Sequence, residues 1–293
     1  MRLDSNDGHN VSYFTLAAYF DIGVFKYLYF LIILTVYVLI ISANVFLIVI
    51  ICITRSLHEP MYLFLLSLFA NELFGSTLLF PFLLVQILSD VFCLYLYAGV
   101  EIFNLAVMSY DRYLAICYPL HYNTHMPFKR VAFLIAASWF PPFLIIVITT
   151  SLSFSLQLCG NIINKVYCDN YSIVKLACSD TTVNNIYGLF ITLLTLIGLL
   201  TLILYTYTKI LKVCFSGSKQ TRQKALSTCT PHLASLLNFF FGCMFEVLQS
   251  RFNMNSVPNT LRIFLSLYFL TCQPFFNPVV YGLKMSKILW AHG

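Results

Sequence analysis

The chain has 293 residues, of which 60% are hydrophobic and only 10% are charged, and its mean hydropathy is +0.84. A soluble globular domain carries about 25% charged residues, so this composition excludes that class and indicates an integral membrane protein. The net charge of +6 does not indicate nucleic-acid binding, because the basic residues lie in short loops between apolar segments.

Apolar segments long enough to cross a bilayer recur along the chain. A hydrocarbon core about 30 Å thick needs about 20 helical residues, and every backbone polar group there must be paired within its segment. Six of these segments contain a long uncharged run. The remaining one, the third helix, is interrupted by Glu101, Asp111 and Arg112. The predicted helices are, in chain order, 25–53, 59–88, 91–119, 131–151, 184–211, 225–249 and 260–283. The expected fold is an all-α membrane protein, with one seven-transmembrane-helix bundle over residues 1–293.

The distribution of Lys and Arg predicts the orientation of this bundle. Most of the 17 basic residues lie on the side of the bundle that holds the ends of the first, third, fifth and seventh helices and the starts of the second, fourth and sixth. Cytosolic loops carry such an excess. The N-terminus is therefore expected outside and the C-terminus in the cytosol. Glycosylation motifs at Asn10 and Asn170 both fall on the predicted outside, as glycosylation requires.

Four motifs occur in an order that resembles a known receptor family. Residues 108–122 read MSYDRYLAICYPLHY, and the other three motifs are 60–64 (PMYLF), 224–233 (KALSTCTPHL) and 274–281 (PFFNPVVY). Together they closely resemble the signatures of odorant (olfactory) receptors, a branch of the rhodopsin-like, class A G-protein-coupled receptors. The resemblance implies a multi-pass plasma-membrane protein that binds a small odorant from outside. It also implies activation of a heterotrimeric G protein of the olfactory stimulatory type.

Asp111, Arg112 and Tyr113 lie near the predicted cytosolic end of the third helix. An arginine there has an ordinary explanation, because its long side chain can reach water at the membrane interface. The resemblance implies instead a charge lock, in which Asp111 and the sixth helix restrain Arg112 until activation. His232, in the motif at the start of the sixth helix, joins these switch residues by resemblance.

The seventh helix contains a proline, Pro278, directly after Asn277. A proline inside a helix removes one backbone hydrogen bond and permits a kink, which is often only architectural. The resemblance implies that Asn277 and Tyr281 repack between inactive and active states. Tyr205 and Tyr207 in the fifth helix are both candidates for the partner of Tyr281, and the sequence does not choose between them.

Glu72 and Glu101 are the acidic residues placed nearest the middle of the membrane. An uncompensated charge at that depth is costly and usually has a function. The two carboxyl groups could share a cation or a proton, so we expect a sodium or water site bounded by Glu72, Glu101 and Asn277. The alternative is two protonated glutamates bonded to neighbouring helices. No other cofactor is expected.

A ligand pocket is expected between the outer halves of the third, fifth, sixth and seventh helices, where an apolar hollow with a few polar groups suits a small molecule. In this pocket, Glu246 could meet a polar or cationic ligand or pair with Arg251. For each aromatic residue in this set, the alternative to ligand binding is packing between helices. The predicted ligand-binding residues are Tyr95, Ala98, Gly99, Ile102, Phe240, Phe241 and Glu246.

Three cysteines lie in the long outside loop, where an oxidising compartment favours disulfides. The resemblance implies a bond between Cys159 and Cys178 and leaves Cys168 for the third helix. The matching position in the third helix is Ile87, which the sequence assigns to the second helix, so Cys93 becomes a substitute partner for Cys168. The connection between these helices is shorter than in the family, which leaves open a shortened, non-signalling member retained in the cell.

Two other classes fit the sequence less well. A transporter or channel needs a continuous polar pathway, and Glu72, Glu101 and Glu246 are too few to line one. An enzyme is not expected, because the scattered histidines lack metal-ligand spacing and no nucleophile motif or phosphate-binding loop occurs.

Overall fold

The computed structural model describes residues 15–16, 26–82, 87–163, 169–251 and 257–292. Seven long helices run through these residues in an all-α bundle, as predicted. They are α1 (Lys26–Ile53), α2 (Pro60–Phe82), α3 (Ile87–Cys117), α4 (Phe128–Phe154), α5 (Thr182–Ser216), α6 (Lys219–Arg251) and α7 (Asn259–His292). Short elements join them: 3-10 turns at Arg55–Leu57 and Pro119–His121, single helices at Tyr122–His125 and Asn170–Lys175, and a parallel pair of two-residue strands, β1 (Thr15–Leu16) and β2 (Ile162–Ile163).

Several helices extend beyond the predicted bounds. An apolar run marks the part of a helix that lies in hydrocarbon, whereas polar residues with good helix propensity continue the same helix into water. Thus α5 and α6 approach each other until only Gly217 and Ser218 separate them, and α7 continues past Tyr281 to His292. Four segments of the described helices are long and apolar enough to cross a membrane by composition alone: Leu31–Ile53, Phe92–Cys117, Phe128–Phe154 and Thr182–Ser216.

The observed start of α3 differs from the predicted one. Ile87 is the first residue of α3 and does not belong to the second helix, because Asp90 is accepted inside the helix instead of ending it. With 31 residues and a rise of about 1.5 Å per residue, α3 is about 46 Å long. It therefore crosses a bilayer with residues to spare at its outer end.

Packing places α3 at the centre of the bundle, where it contacts α2, α4, α5 and α6. The distribution of side chains is the reverse of that in a soluble protein. Glu72, Glu101 and Asn277 are fully buried, while Phe46 and Leu237 are 63% and 70% exposed on the outer surface. Such a surface is stable in hydrocarbon, which solvates apolar side chains but leaves polar groups to be paired inside.

Pro278 interrupts the backbone hydrogen bonds of α7, because it has no N–H to donate to the carbonyl of Pro274. Asn44 of α1 replaces the missing donor: its Nδ2 lies 2.9 Å from the Pro274 oxygen and 3.0 Å from the Ile40 oxygen. A side chain from the first helix thus satisfies the carbonyl of the seventh that Pro278 leaves without a backbone donor.

The outer loop is held by the predicted disulfide between Cys159 and Cys178, which is confirmed, with Cα atoms 5.6 Å apart. Backbone bonds from Cys159 to Leu176 and from Cys178 to Gln157, both 2.9 Å, support it. Cys168 and the connection at 83–86 lie outside the described residues, so the pairing of Cys168 stays a prediction. Cys93 is buried within α3.

Close packing of α2 on α3 predicts the effect of one substitution. A Cβ atom at Gly75 would lie 2.5 Å from the Tyr97 ring, and this ring is fully buried. We expect Gly75→Ala to lower the melting temperature of the purified protein, because overpacking costs about 1–3 kcal/mol. Gly188→Ala in α5 is the matched control, since nothing lies within 4 Å of the added Cβ. Equal melting temperatures of the two variants would contradict this packing.

Candidate functional site

The predicted trio of Glu72, Glu101 and Asn277 meets at the centre of the bundle. Asn277 Nδ2 of α7 lies 2.6 Å from Glu72 Oε1 of α2 and 3.0 Å from Glu101 Oε1 of α3. All three residues are fully buried. One amide therefore bridges two carboxyl groups that would otherwise repel each other.

Further uncharged donors complete this carboxyl cluster, and none of them was predicted from the sequence. The Tyr97 hydroxyl donates to Glu72 Oε2 over 2.9 Å, Asn71 Nδ2 donates to Glu101 Oε2 over 3.0 Å, and Gln273 Nε2 donates to Glu101 Oε1 over 3.1 Å. Ser235 of α6 donates to Asn277 Oδ1 over 2.6 Å. Helical spacing could have found Gln273, which lies four residues before Asn277 on the same face of α7.

A cavity of about 280 Å³ opens on the outer side of this cluster. Five predicted residues line it: Tyr95, Ala98, Gly99 and Ile102 of α3, and Glu246 of α6. The spacing of these α3 residues from the motif at residues 111–113 thus identifies the cavity-facing side of this helix.

Phe240 and Phe241 were predicted in this cavity, and the structure places neither among its lining residues. For these two residues the predicted face of α6 was wrong, because successive residues point about 100° apart around a helix. Phe239 and Cys243 face the cavity instead, while Phe241 is 57% exposed.

The walls of the cavity also differ from the expected set of helices. In the part of the chain that the structure describes, α4 supplies lining residues and α7 supplies none. Pro142 of α4 lies close to α3 because Gly99 has no side chain; a Cβ there would lie 2.9 Å from the Pro142 Cβ. Asp169 and Tyr171 reach the cavity from the outer loop.

At the cytosolic end of α3, Arg112 forms an ion pair with its neighbour Asp111. Arg112 Nε lies 3.0 Å from Asp111 Oδ2, and the Tyr122 hydroxyl donates to Asp111 Oδ1 over 2.6 Å. Among the described residues, the hydrogen bonds of Arg112 go to Asp111 and not to α6. The expected restraint of Arg112 by α6 is not among these described contacts, and the neighbouring Asp111 carboxylate binds the guanidinium instead.

Tyr113 and Tyr205 form an aromatic contact away from the interior. Their ring centroids are 6.3 Å apart, and Tyr205 is 52% exposed. Tyr207 is buried, as is Tyr281, which packs edge-on against Phe69. Of the two candidates for the partner of Tyr281, Tyr207 is therefore the one that shares the bundle interior with it.

His232 of α6 connects three helices. Its Nε2 lies 2.9 Å from the Leu105 carbonyl oxygen of α3, so this nitrogen carries the proton, and Nδ1 accepts a 2.5 Å hydrogen bond from the Tyr207 hydroxyl of α5. The Tyr207 and His232 rings are nearly parallel, with centroids 5.9 Å apart. Helices α3, α5 and α6 are thus joined at one buried histidine.

Comparison with known proteins decides the family, since the olfactory receptor family model matches residues 33–291. The chain belongs to the olfactory receptor family. It is 35% identical to human olfactory receptor 52N5, a match covering 87% of this chain and 83% of that protein. It is 33% identical to human olfactory receptor 11A1 and 32% to mouse olfactory receptor 6E1, with at least 93% of each chain covered in both matches.

The fold of this olfactory receptor is that of rhodopsin. Squid rhodopsin superposes with a TM-score of 0.67 at 16% identity, covering 86% of this chain and 75% of rhodopsin. The chain is therefore a seven-helix, G-protein-coupled odorant receptor. The members of this family are receptors and not enzymes. The comparisons do not favour a transporter, a channel or a non-signalling relative.

The predicted glycosylation sites remain predictions. Asn10 lies outside the described residues. Asn170 is the first residue of the short helix in the outer loop, and its Oδ1 accepts a 2.6 Å hydrogen bond from Ser153.

The hydrogen bond from Tyr122 to Asp111 generates a prediction for basal signalling. We expect Tyr122→Phe to raise basal cyclic AMP about fivefold at equal surface expression, because a hydrogen bond worth about 1 kcal/mol no longer holds Asp111 on Arg112. Tyr187→Phe is the control, since the Tyr187 hydroxyl contacts the Ile145 carbonyl far from this ion pair. Unchanged basal cyclic AMP in Tyr122→Phe would show that Tyr122 does not restrain the switch.

Proposed function

We propose that this olfactory receptor works at the plasma membrane, binds its odorant in the outer cavity and activates the olfactory stimulatory G protein through the cytosolic ends of α3, α5 and α6. One observation carries the proposal. The helix α3 lines the cavity with Ile102, contributes Glu101 to the carboxyl cluster and carries Arg112 near its cytosolic end.

Adjacent residues of α3 face different partners, which supports coupling between ligand and core. Ile102 faces the cavity, whereas Glu101 bonds Asn277 of α7. A ligand that presses on the Ile102 side can rotate or shift α3 only if the bonds of Glu101 adjust. Such a ligand changes the balance of states by the difference between its affinities for them.

The contact between Tyr207 and His232 supplies the second element of the mechanism. Outward movement of α6 at the cytosolic side has to break or rearrange the bonds from His232 to Tyr207 and Leu105. We therefore assign Tyr207 and His232 to the resting conformation, together with Asp111 and Arg112. Asn277 and Tyr281 belong to the region of α7 that repacks.

Surface labelling and cyclic AMP together test this function. The chain carries an extracellular N-terminal epitope in cells that express the olfactory stimulatory G protein, and an odorant mixture is applied. We expect surface label and an odorant-dependent rise in cyclic AMP for the native chain. Arg112→Ala should keep its label and lose the response. Intracellular retention of the native chain, with rescue by a longer connection between α2 and α3, would contradict a working receptor.

We further propose that the carboxyl cluster binds a sodium ion. Its donor set fits, because Glu72 and Glu101 offer hard carboxylate oxygens, which alkali and alkaline-earth cations prefer, and a monovalent cation offsets part of their charge. Every carboxylate oxygen also accepts a hydrogen bond from an uncharged donor, an arrangement that keeps the oxygens in place.

Salt substitution tests the sodium proposal. We expect the melting temperature of the purified receptor to rise in sodium chloride relative to choline chloride at equal ionic strength, since a ligand stabilises the state it binds. Glu72→Gln should abolish this difference, whereas Glu59→Gln, which alters an exposed acid before α2, should preserve it. Identical melting in both salts would indicate protonated glutamates instead.

A further inference from the structure

Pro231 lies inside α6, in the cytosolic half of this helix. A proline has no N–H, so it cannot donate to the carbonyl four residues earlier, which here is that of Ser227. In the structure this carbonyl accepts a hydrogen bond from Lys284 of α7, whose Nζ lies 3.1 Å from the Ser227 oxygen. A side chain from a neighbouring helix thus takes the place of the missing backbone donor.

The same arrangement occurs at Pro278 of α7, where Asn44 of α1 donates to the Pro274 carbonyl. The two cases differ in the chemistry of the donor. Asn44 is neutral and fully buried. Lys284 is charged and half-buried, and it forms no ion pair among the residues that the structure describes. Because a long cationic side chain at the membrane edge can reach water, the bond of Lys284 is the easier one to exchange.

Lys284 attaches α6 to α7 at a second point. The first point is the hydrogen bond from Ser235 to Asn277 in the carboxyl cluster. Lys284 follows Asn277 by seven residues on α7. Ser227 precedes Ser235 by eight residues on α6, so the two contacts are about two turns apart on each of these antiparallel helices. The cytosolic segment of α6 before Pro231 is therefore held on α7 by the bond to Ser227.

The turn around Pro231 is a natural place for α6 to bend. A proline inside a helix removes a backbone hydrogen bond and permits a kink. The proposed function requires outward movement of the cytosolic end of α6. Because Pro231 is next to His232, a bend at this turn also changes the position of the His232 ring and its hydrogen bonds.

We propose that Lys284 is a positioning residue that holds α6 in the resting conformation through its bond to the Ser227 carbonyl, and that activation breaks this bond. The proposal rests on the proposed function, because it needs α6 to move outward. Pro231 is responsible for both parts of the device, since it weakens the turn and leaves the carbonyl without its backbone donor. Once the bond is broken, water hydrates the ammonium group at the membrane edge.

Basal cyclic AMP at equal surface expression is the first readout. Lys284→Met keeps a long side chain but removes its charge and its donor. We expect basal cyclic AMP to rise about fivefold, which corresponds to about 1 kcal/mol. Lys284→Arg retains a charged donor and should stay near the native level. Lys129→Met, at an exposed lysine near the start of α4, controls for the loss of one cytosolic charge and should leave basal cyclic AMP unchanged.

Pro231→Ala tests whether the proline creates the need for Lys284. Alanine restores a backbone N–H that can donate to the Ser227 carbonyl. In this background, Lys284→Met should raise basal cyclic AMP by less than about twofold, because the two substitutions act on one hydrogen bond and are not additive. An undiminished fivefold rise in the Pro231→Ala background would overturn the proposal.

Alkylation of Cys229 is the second readout, and it needs no G protein. This thiol is 4% exposed and lies two residues after Ser227 on α6. Mass spectrometry follows its reaction with iodoacetamide in the purified receptor, with the exposed Cys52 of α1 as the internal reference. We expect Lys284→Met to accelerate the alkylation of Cys229 about fivefold, as the same release of α6 exposes it. Loss of a positive charge alone would slow this reaction, because the thiolate is the reactive form.

The two readouts separate the inference from the proposed function. Faster alkylation of Cys229 with unchanged basal cyclic AMP would support the role of Lys284 and contradict the proposed signalling. A native alkylation rate in Lys284→Met would overturn the inference, whatever the level of cyclic AMP. An odorant-dependent response of the native chain would then still support the receptor function.

Discussion

Two carboxyl groups buried in the middle of a membrane protein are the constraint on which the rest of this structure depends. In hydrocarbon, an unpaired carboxyl group costs several kilocalories per mole, and two adjacent ones also repel. Here Asn277 bridges Glu72 and Glu101, while Asn71, Tyr97 and Gln273 supply further hydrogen bonds. These donors come from α2, α3 and α7, so the rotation of each helix about its axis is determined by the need to reach the same point.

The outer cavity and the cytosolic ion pair lie on opposite sides of this centre, and α3 reaches both. On the outer side, Gly99 allows Pro142 to approach and thereby brings α4 into the cavity wall. On the cytosolic side, Arg112 and Asp111 are held by Tyr122 from the loop after α3. A helix that is packed against four others moves only when several contacts change together. Such a helix favours two discrete arrangements over a continuum.

The sequence predicted most of the residues that meet at these places, because the four motifs occur at fixed positions on helices of regular pitch. It failed where a small error in register changes the outcome. Successive helical residues point about 100° apart. An error of one or two positions along α6 was therefore enough for the prediction to select Phe240 and Phe241 where Phe239 lines the cavity. The inward position of Asp169 and the role of Tyr122 depend on loop conformations with no periodic pattern. The start of α3 at Ile87 was missed because the uncharged residues up to 88 were all assigned to the second helix.

The bond from Asn44 to the Pro274 carbonyl has a mechanical consequence. A proline in a helix creates a hinge, and a hinge with an unsatisfied carbonyl would be unstable inside a membrane. Here the Pro274 carbonyl accepts a hydrogen bond from an amide on a different helix. This amide cross-links the first helix to the hinge region of the seventh. The first helix, which faces lipid along much of its length, therefore limits how far the seventh can bend. The first and seventh helices, although remote in sequence, therefore have to move together at this point.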